Sequence, residues 1–306
     1  MIDRPTKQEI DKVVMKTLKE AGLKEPPFLI DDLLEHLEID REYYDLEDPG
    51  LIRRFVHKVK VKGKIISKIK EKIKLAAMWL PNTGRKDRIY VDSSLPEPKK
   101  KWASFHDISH GILEWHRPYF LGDTAQTLEP DFQDRLEAEA NYGASGLMFG
   151  GNIFTRDALD TSPEWKSIEI LKKEYKTSYV TTVRRFVQFS HDIPMAFVES
   201  TAWWMPKPDD QEHRCKHFIK SNLFETQFAV ITRDIILNDI DENTEKRRGG
   251  PVGEFSLCLP DVNGDLHEFY AEAFFNQHNI LTFIIQIKKM RCKLTMKERG
   301  RIFNNK

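Results

Sequence analysis

The sequence predicts an α+β protein, and three observations predict it. Apolar residues recur at three- and four-residue steps through most of the first two-thirds of the chain, the spacing of amphipathic helices. The last third shifts to short β-rich runs, two of them separated by a segment carrying Asn263-Gly264, a strong hairpin signal. Between Trp79 and Pro96 one short strand, "RIYVD", precedes the most chemically distinctive helix of the chain.

Composition sets the outer bounds. With 306 residues there is room for two or three domains, each with a real core. Hydrophobic residues at 40% and charged residues at 31% fit a globular chain rather than a disordered one. Acids and bases balance at 48 each, so no global field draws the protein to nucleic acid or to a membrane. No apolar run follows "MIDRPTKQEI", and none approaches the roughly 18 residues of a membrane span. The cysteines Cys215, Cys258 and Cys292 form no framework, and the cytoplasm is the expected compartment.

Taken in order, the first forty residues read as helices. In "PPFLIDDLLEHLEI", Leu29, Leu33, Leu34 and Leu37 fall at helical spacing behind a proline start. From Arg53 to Lys74, ten lysines and arginines stand against one acid, with apolar residues alternating around Gly63. This segment reads as a half-buried hairpin whose lysines guard an edge, with a nucleic-acid patch as the alternative.

"RIYVDSSLPEP" reads as a strand and a turn. "KKWASFHDISHGILEWH" follows as a helix, with Trp102, Phe105, Ile108, Ile112 and Trp115 on its apolar stripe. Another helix is expected in "DFQDRLEAEANYGASGLMF". Two more are expected in "SPEWKSIEILKKEYKTSYVTTVRRFVQF", started by Ser162-Pro163-Glu164 and separated by "YKTSY". "WWMPKPDDQEH" reads as a linker, and Trp203 and Trp204 as a docking pair between domains. Beyond it, "FETQFAVI", "GEFSLCL", "LHEFYAEAFF" and "ILTFIIQIKK" read as β-rich. The expected divisions are 1–160, a helical segment over 161–205, and a small α+β domain over 206–306.

The chemistry concentrates in "SFHDISHGILEWH". On a helix, His106 and His110 lie on one face about 6 Å apart and can converge on one zinc at about 2.0–2.1 Å. The acid after the first histidine, Asp107, would stand beside the metal, where a carboxylate can take a proton from the attacking water. Composition alone would produce this pattern roughly 0.05 times in such a chain. Two histidines leave a catalytic zinc one protein ligand short, and Glu137 on the second helix is the expected third. Asn141, four residues on and so on the same face, would orient a ligating histidine. Glu139 points elsewhere on that helix and is expected in solvent. In "EHRCKH", His213, Cys215 and His217 could share one face of a strand but lack a fourth ligand, and a solvated linker edge is expected.

"RIYVDSSLPEPKKKWASFHDISHGILEWH" followed by "LEAEANYGASGLMF" resembles the ImmA/IrrE family of metallopeptidases, whose members show a short strand, H-E-x-x-H, and then E-x-x-A-N before an apolar helix. The resemblance covers roughly residues 25 to 200. It implies a zincin-like peptidase domain over 1–160, a helix-turn-helix-like segment over 161–205, and a sensor or recognition domain over 206–306. By the same resemblance His106, His110 and Glu137 match zinc ligands, and Asp107 stands where the catalytic glutamate does. The implied activity is a zinc-dependent endopeptidase making limited cuts in a regulatory protein such as a transcriptional repressor. The departures are Asp107 for glutamate, Gly143 where an aromatic residue is usual, and "LMFG" for a leucine-rich run ending in proline; the first puts peptidase activity in question. The rival reading is a retired, zincin-like regulatory module. Within it, Lys172, Lys173, Lys176, Arg184 and Arg185 would contact DNA phosphates.

Overall fold

The structure, a computed structural model, describes residues 2–44, 77–80, 86–118, 130–206 and 214–293. The basic segment from Arg53 to Lys74, most of the expected linker and His213 lie outside the described residues. The chain mixes helix and sheet and divides into two compact units, Met1–Phe154 with Glu174–Lys176, and Thr155–Lys173 with Thr177–Lys306. Among the described residues, no helix is long and apolar enough to cross a membrane.

In the first unit, α1 (Arg4–Glu20) starts where the Asp3 side chain accepts from the Thr6 amide at 2.8 Å. Its face of Ile10, Val14 and Leu18 is buried. After α2 (Ile30–His36) come β1 (Asp40–Tyr44), β2 (Ala77–Leu80) and β3 (Arg88–Asp92). They form a three-stranded sheet in the order β1-β3-β2, with β1 parallel and β2 antiparallel to β3. Helix α3 (Glu97–Ile112) packs on this sheet and on α4 (Pro130–Phe149), which also meets α1. Phe105, Ile108, Ala140, Ala144 and Leu147 are fully buried in this core, each large apolar side chain contributing roughly 1.5–3 kcal/mol.

Gly143 permits the close approach of α3 and α4. A Cβ there would sit 2.2 Å from Ser109 Oγ, which no structure tolerates without a shift.

Helix α3 stops at Leu113, whose backbone turns extended, and a 3₁₀ turn over Glu114–His116 folds the chain back. The single helix expected through Trp115 and His116 is thus broken before them.

The second unit is built on a five-stranded antiparallel sheet, β5-β4-β8-β7-β6, from β4 (Met195–Thr201), β5 (Cys215–Lys220), β6 (Gly250–Pro260), β7 (Asp265–Phe275) and β8 (Asn279–Lys293). Gly264, at φ 83°, closes the β6–β7 hairpin in the left-handed conformation that glycine adopts freely. Helices cover both faces. On one, α7 (Tyr179–Phe189) sets Phe186 against Phe283, and Trp165, opening α6 (Trp165–Tyr175), stacks on Phe274. On the other, Phe224 of α8 (Asn222–Gln227) and Ile236 and Ile240 of α9 (Arg233–Asn243) join Ala196, Val198, Phe269 and Ile284. A short helix α5 (Asn152–Leu159) precedes α6.

Several expectations change here. "FETQFAVI" is not a strand: the Ser221 hydroxyl accepts from the Phe224 amide and starts α8, and Phe224 shares one core with Phe228 and Ile231 just beyond the helix end. β4 precedes the expected linker and yet is an inner strand of the sheet. "RCKHFIK" is not a linker edge either, since Cys215–Lys220 forms the edge strand β5 and Cys215 is buried. Trp204 packs on Phe275 within its own unit, and Trp203 stands half-exposed against it. Arg185 is buried over the Phe189 ring at 4.2 Å and is turned away from any external phosphate.

Candidate metal centre

Helix α3 carries His106 and His110 on the face toward α4, and Glu137 comes from the facing turn of α4. His106 Nε2 lies 3.2 Å from His110 Nε2 and 3.1 Å from Glu137 Oε2, and His110 Nε2 is 3.7 Å from Glu137 Oε1. Ligand bonds of about 2.0–2.1 Å at a tetrahedral metal give ligand–ligand edges of roughly 3.3 Å, so these separations bracket what zinc requires. His110 is buried, His106 is partly open, and half of the Glu137 side chain is exposed, so the site opens on the glutamate side.

The outer nitrogens are held as well. His106 Nδ1 is 3.1 Å from Asn141 Oδ1, which can only accept, so the ring donates there and turns the Nε2 lone pair inward. His110 Nδ1 is 2.8 Å from His116 Nδ1, and His116 Nε2 is 3.1 Å from Glu139 Oε2. Glu139 is therefore buried, contrary to the expected solvent-facing position. The face of α4 opposite Glu137 is covered by the 3₁₀ turn, where Trp115 Nε1 donates to the same Glu139 oxygen at 2.7 Å. Burial and the neighbouring His110 lower the His116 pKa to about 4, which keeps it neutral.

Two imidazole lone pairs and a carboxylate thus face one another without a donor among them. Only a cation meets that demand, a proton or a metal ion. A proton on one of the facing nitrogens supplies the missing donor: removal from water acts against both charged forms, yet pairing with Glu137 raises the His106 pKa, and His106 and His110 in their protonated forms hold Glu137 well below the usual carboxylate range.

Asp107 is buried, within electrostatic reach of His106 and of Tyr44 at the end of β1. Burial, reinforced by Asp92 and Asp107, pushes the Tyr44 hydroxyl up to about 12 and keeps it a neutral donor. Sequence reasoning missed His116 and Tyr44. "EWH" after the helix was the signal for the first; β1 pairs with β3 across the 43 residues between Tyr44 and Arg88, and nothing local marked the second.

No protein-family model matches the chain, and no curated protein sequence matches it. Among solved structures, a Mycobacterium tuberculosis transcriptional regulator superposes with a TM-score of 0.52 over 91% of this chain and 88% of its own, at 12% identity. At that identity the likeness concerns the fold alone.

Proposed function

We propose that this chain is a zinc-dependent endopeptidase with a zincin-like first unit, of ImmA/IrrE type, making limited cuts in a regulatory protein. The observation that carries the reading is the convergence of His106, His110 and Glu137 at separations that suit tetrahedral zinc. These three residues would hold the ion, which supplies Lewis acidity toward water and a peptide carbonyl. Asp107 takes the proton from the attacking water and passes it to the leaving amine. The shorter aspartate draws its oxygens back by roughly 1 Å, a displacement on the order of a hundredfold in rate unless α3 sits correspondingly closer to the substrate.

The regulatory target rests on the resemblance alone. The solved neighbour is named a transcriptional regulator, and in a second reading the site is retired and this chain likewise regulates by binding protein or DNA.

The test separates them. Purified protein should hold about one zinc per chain. Asp107→Asn should retain zinc and fold while losing cleavage, because an amide cannot accept the proton. Used as a bait, Asp107→Asn should retain a partner that the wild type converts to a fragment with a new N terminus. An Asp107→Asn protein cleaving at the wild-type rate removes Asp107 as the base, and a wild type that cleaves no retained partner leaves the binding-module reading.

A further inference from the structure

We propose that His116 and Glu139 are positioning residues that commit His110 to the metal-ligating tautomer through a one-way chain of hydrogen bonds. The inference rests on the zinc reading of His106, His110 and Glu137 and extends it inward.

The direction of the chain follows from what each group can do. Trp115 Nε1 can only donate, and it ends on Glu139 Oε2 at 2.7 Å. A carboxylate oxygen accepting there also accepts from His116 Nε2 at 3.1 Å, so that nitrogen bears the single proton of a neutral ring. His116 Nδ1 is left as an acceptor, and the atom it faces at 2.8 Å, His110 Nδ1, must donate. His110 therefore has no proton left for Nε2, whose lone pair points at His106 and Glu137. Reversing either His116 bond would set two N–H groups or two lone pairs against each other between buried partners, whereas the facing acceptors at Nε2 lie toward the exposed side of Glu137, where a cation can enter.

Geometry adds a second consequence. Glu137 and Glu139 both belong to α4, so one rigid helix delivers the ligand carboxylate on one side and the buried anchor of the opposing histidine on the other. The Glu139 charge polarises the chain and makes His110 Nε2 a better electron donor, as a carboxylate does when it holds a ligating imidazole directly. His106 is held differently, by the neutral and more exposed Asn141.

Nitrogen-15 spectroscopy of the metal-free protein reads the tautomer without any metal. In the wild type at about pH 8, above the ordinary histidine titration, His110 should show a protonated Nδ1 and a bare Nε2. His116→Leu should shift His110 toward the Nε2–H form and weaken zinc about 10- to 100-fold in chelator competition. Glu139→Gln keeps an oxygen for both donors, so it should preserve the tautomer and weaken zinc less than His116→Leu. An Nε2–H His110 in the wild type overturns the proposal, as does His116→Leu with unchanged tautomer and affinity. Should His116→Leu not fold, the wild-type spectrum decides alone. A protein showing the expected tautomer but binding no zinc would refute the zinc site and leave the chain of bonds standing.

Discussion

Each unit contains a buried histidine beside a carboxylate, and the two clusters differ in one respect. In the second unit every contact of His267 is complementary: Gln286 Nε2 donates to Nδ1 at 2.7 Å, and Nε2 donates to Asp261 Oδ2 at 3.1 Å. The Asp261 carboxylate also accepts from the amides of Asn263 and Asp265, so the cluster clasps the β6–β7 turn. In the first unit, with each ring proton on the outer nitrogen, the inward-facing atoms of His106, His110 and Glu137 are all acceptors. Complementary pairing marks a cluster that serves structure, while convergence of like groups is the arrangement expected of the proposed metal site.

The largest effect that can break this contrast is on metal content. His106→Ala/His110→Ala should lower zinc from about one per chain to none by elemental analysis, and stoichiometric zinc in that variant would remove the site. Next comes Gly143→Ala. The added Cβ forces α3 and α4 apart, costing about 1–3 kcal/mol in urea unfolding and weakening zinc together with it. Ser109→Ala/Gly143→Ala should recover most of that loss, since it deletes the clashing hydroxyl, which is buried with no hydrogen-bond partner among the described residues. Independent additivity of the two changes would show that the clash is elsewhere.

His267→Leu should cost about 1–2 kcal/mol by leaving Asp261 short of a donor, yet leave zinc stoichiometry untouched. A loss of zinc there would erase the distinction between the clusters. The smallest effect is on pH. Burial acts to raise the Asp261 pKa, but the Asp265 amide, His267 and the Asn263 amide outweigh it and hold it below its ordinary value. A carboxyl depressed in the fold stabilises above its unfolded pKa of about 3.9 and loses that contribution as pH falls through the folded value. Asp261→Asn should therefore flatten the acid limb of melting temperature against pH, and an unchanged limb would show that the clasp contributes nothing to acid stability.

What was legible in the sequence follows the range of the interactions. Helices α3, α4, α6 and α7 and the β6–β7 hairpin are written in local spacing and turn chemistry, and so is the triad of His106, His110 and Glu137, which needs only two helix faces. β4 was hidden because all seven of its residues are buried between helical layers, which erases the alternation that identifies a strand. The role of Glu139 was hidden for a different reason. Helical geometry turns it correctly away from Glu137, but only the break at Leu113 determines that the covering surface is Trp115 and His116 rather than water.

The position of β8 has a consequence for synthesis. It lies between β4 and β7, and its Asn279 donates to Glu199 across a sequence separation of 80 residues. At about 5–20 residues per second, a ribosome needs roughly 4–16 s to make that interval. Throughout it β4 has left the decoding centre without the neighbour that completes its ladder. Helix α7, made just before β4 and packed against it, is the cover available from the start for one of its faces. The middle of this sheet therefore closes late, and its assembly is paced by translation rather than by the speed of strand pairing itself.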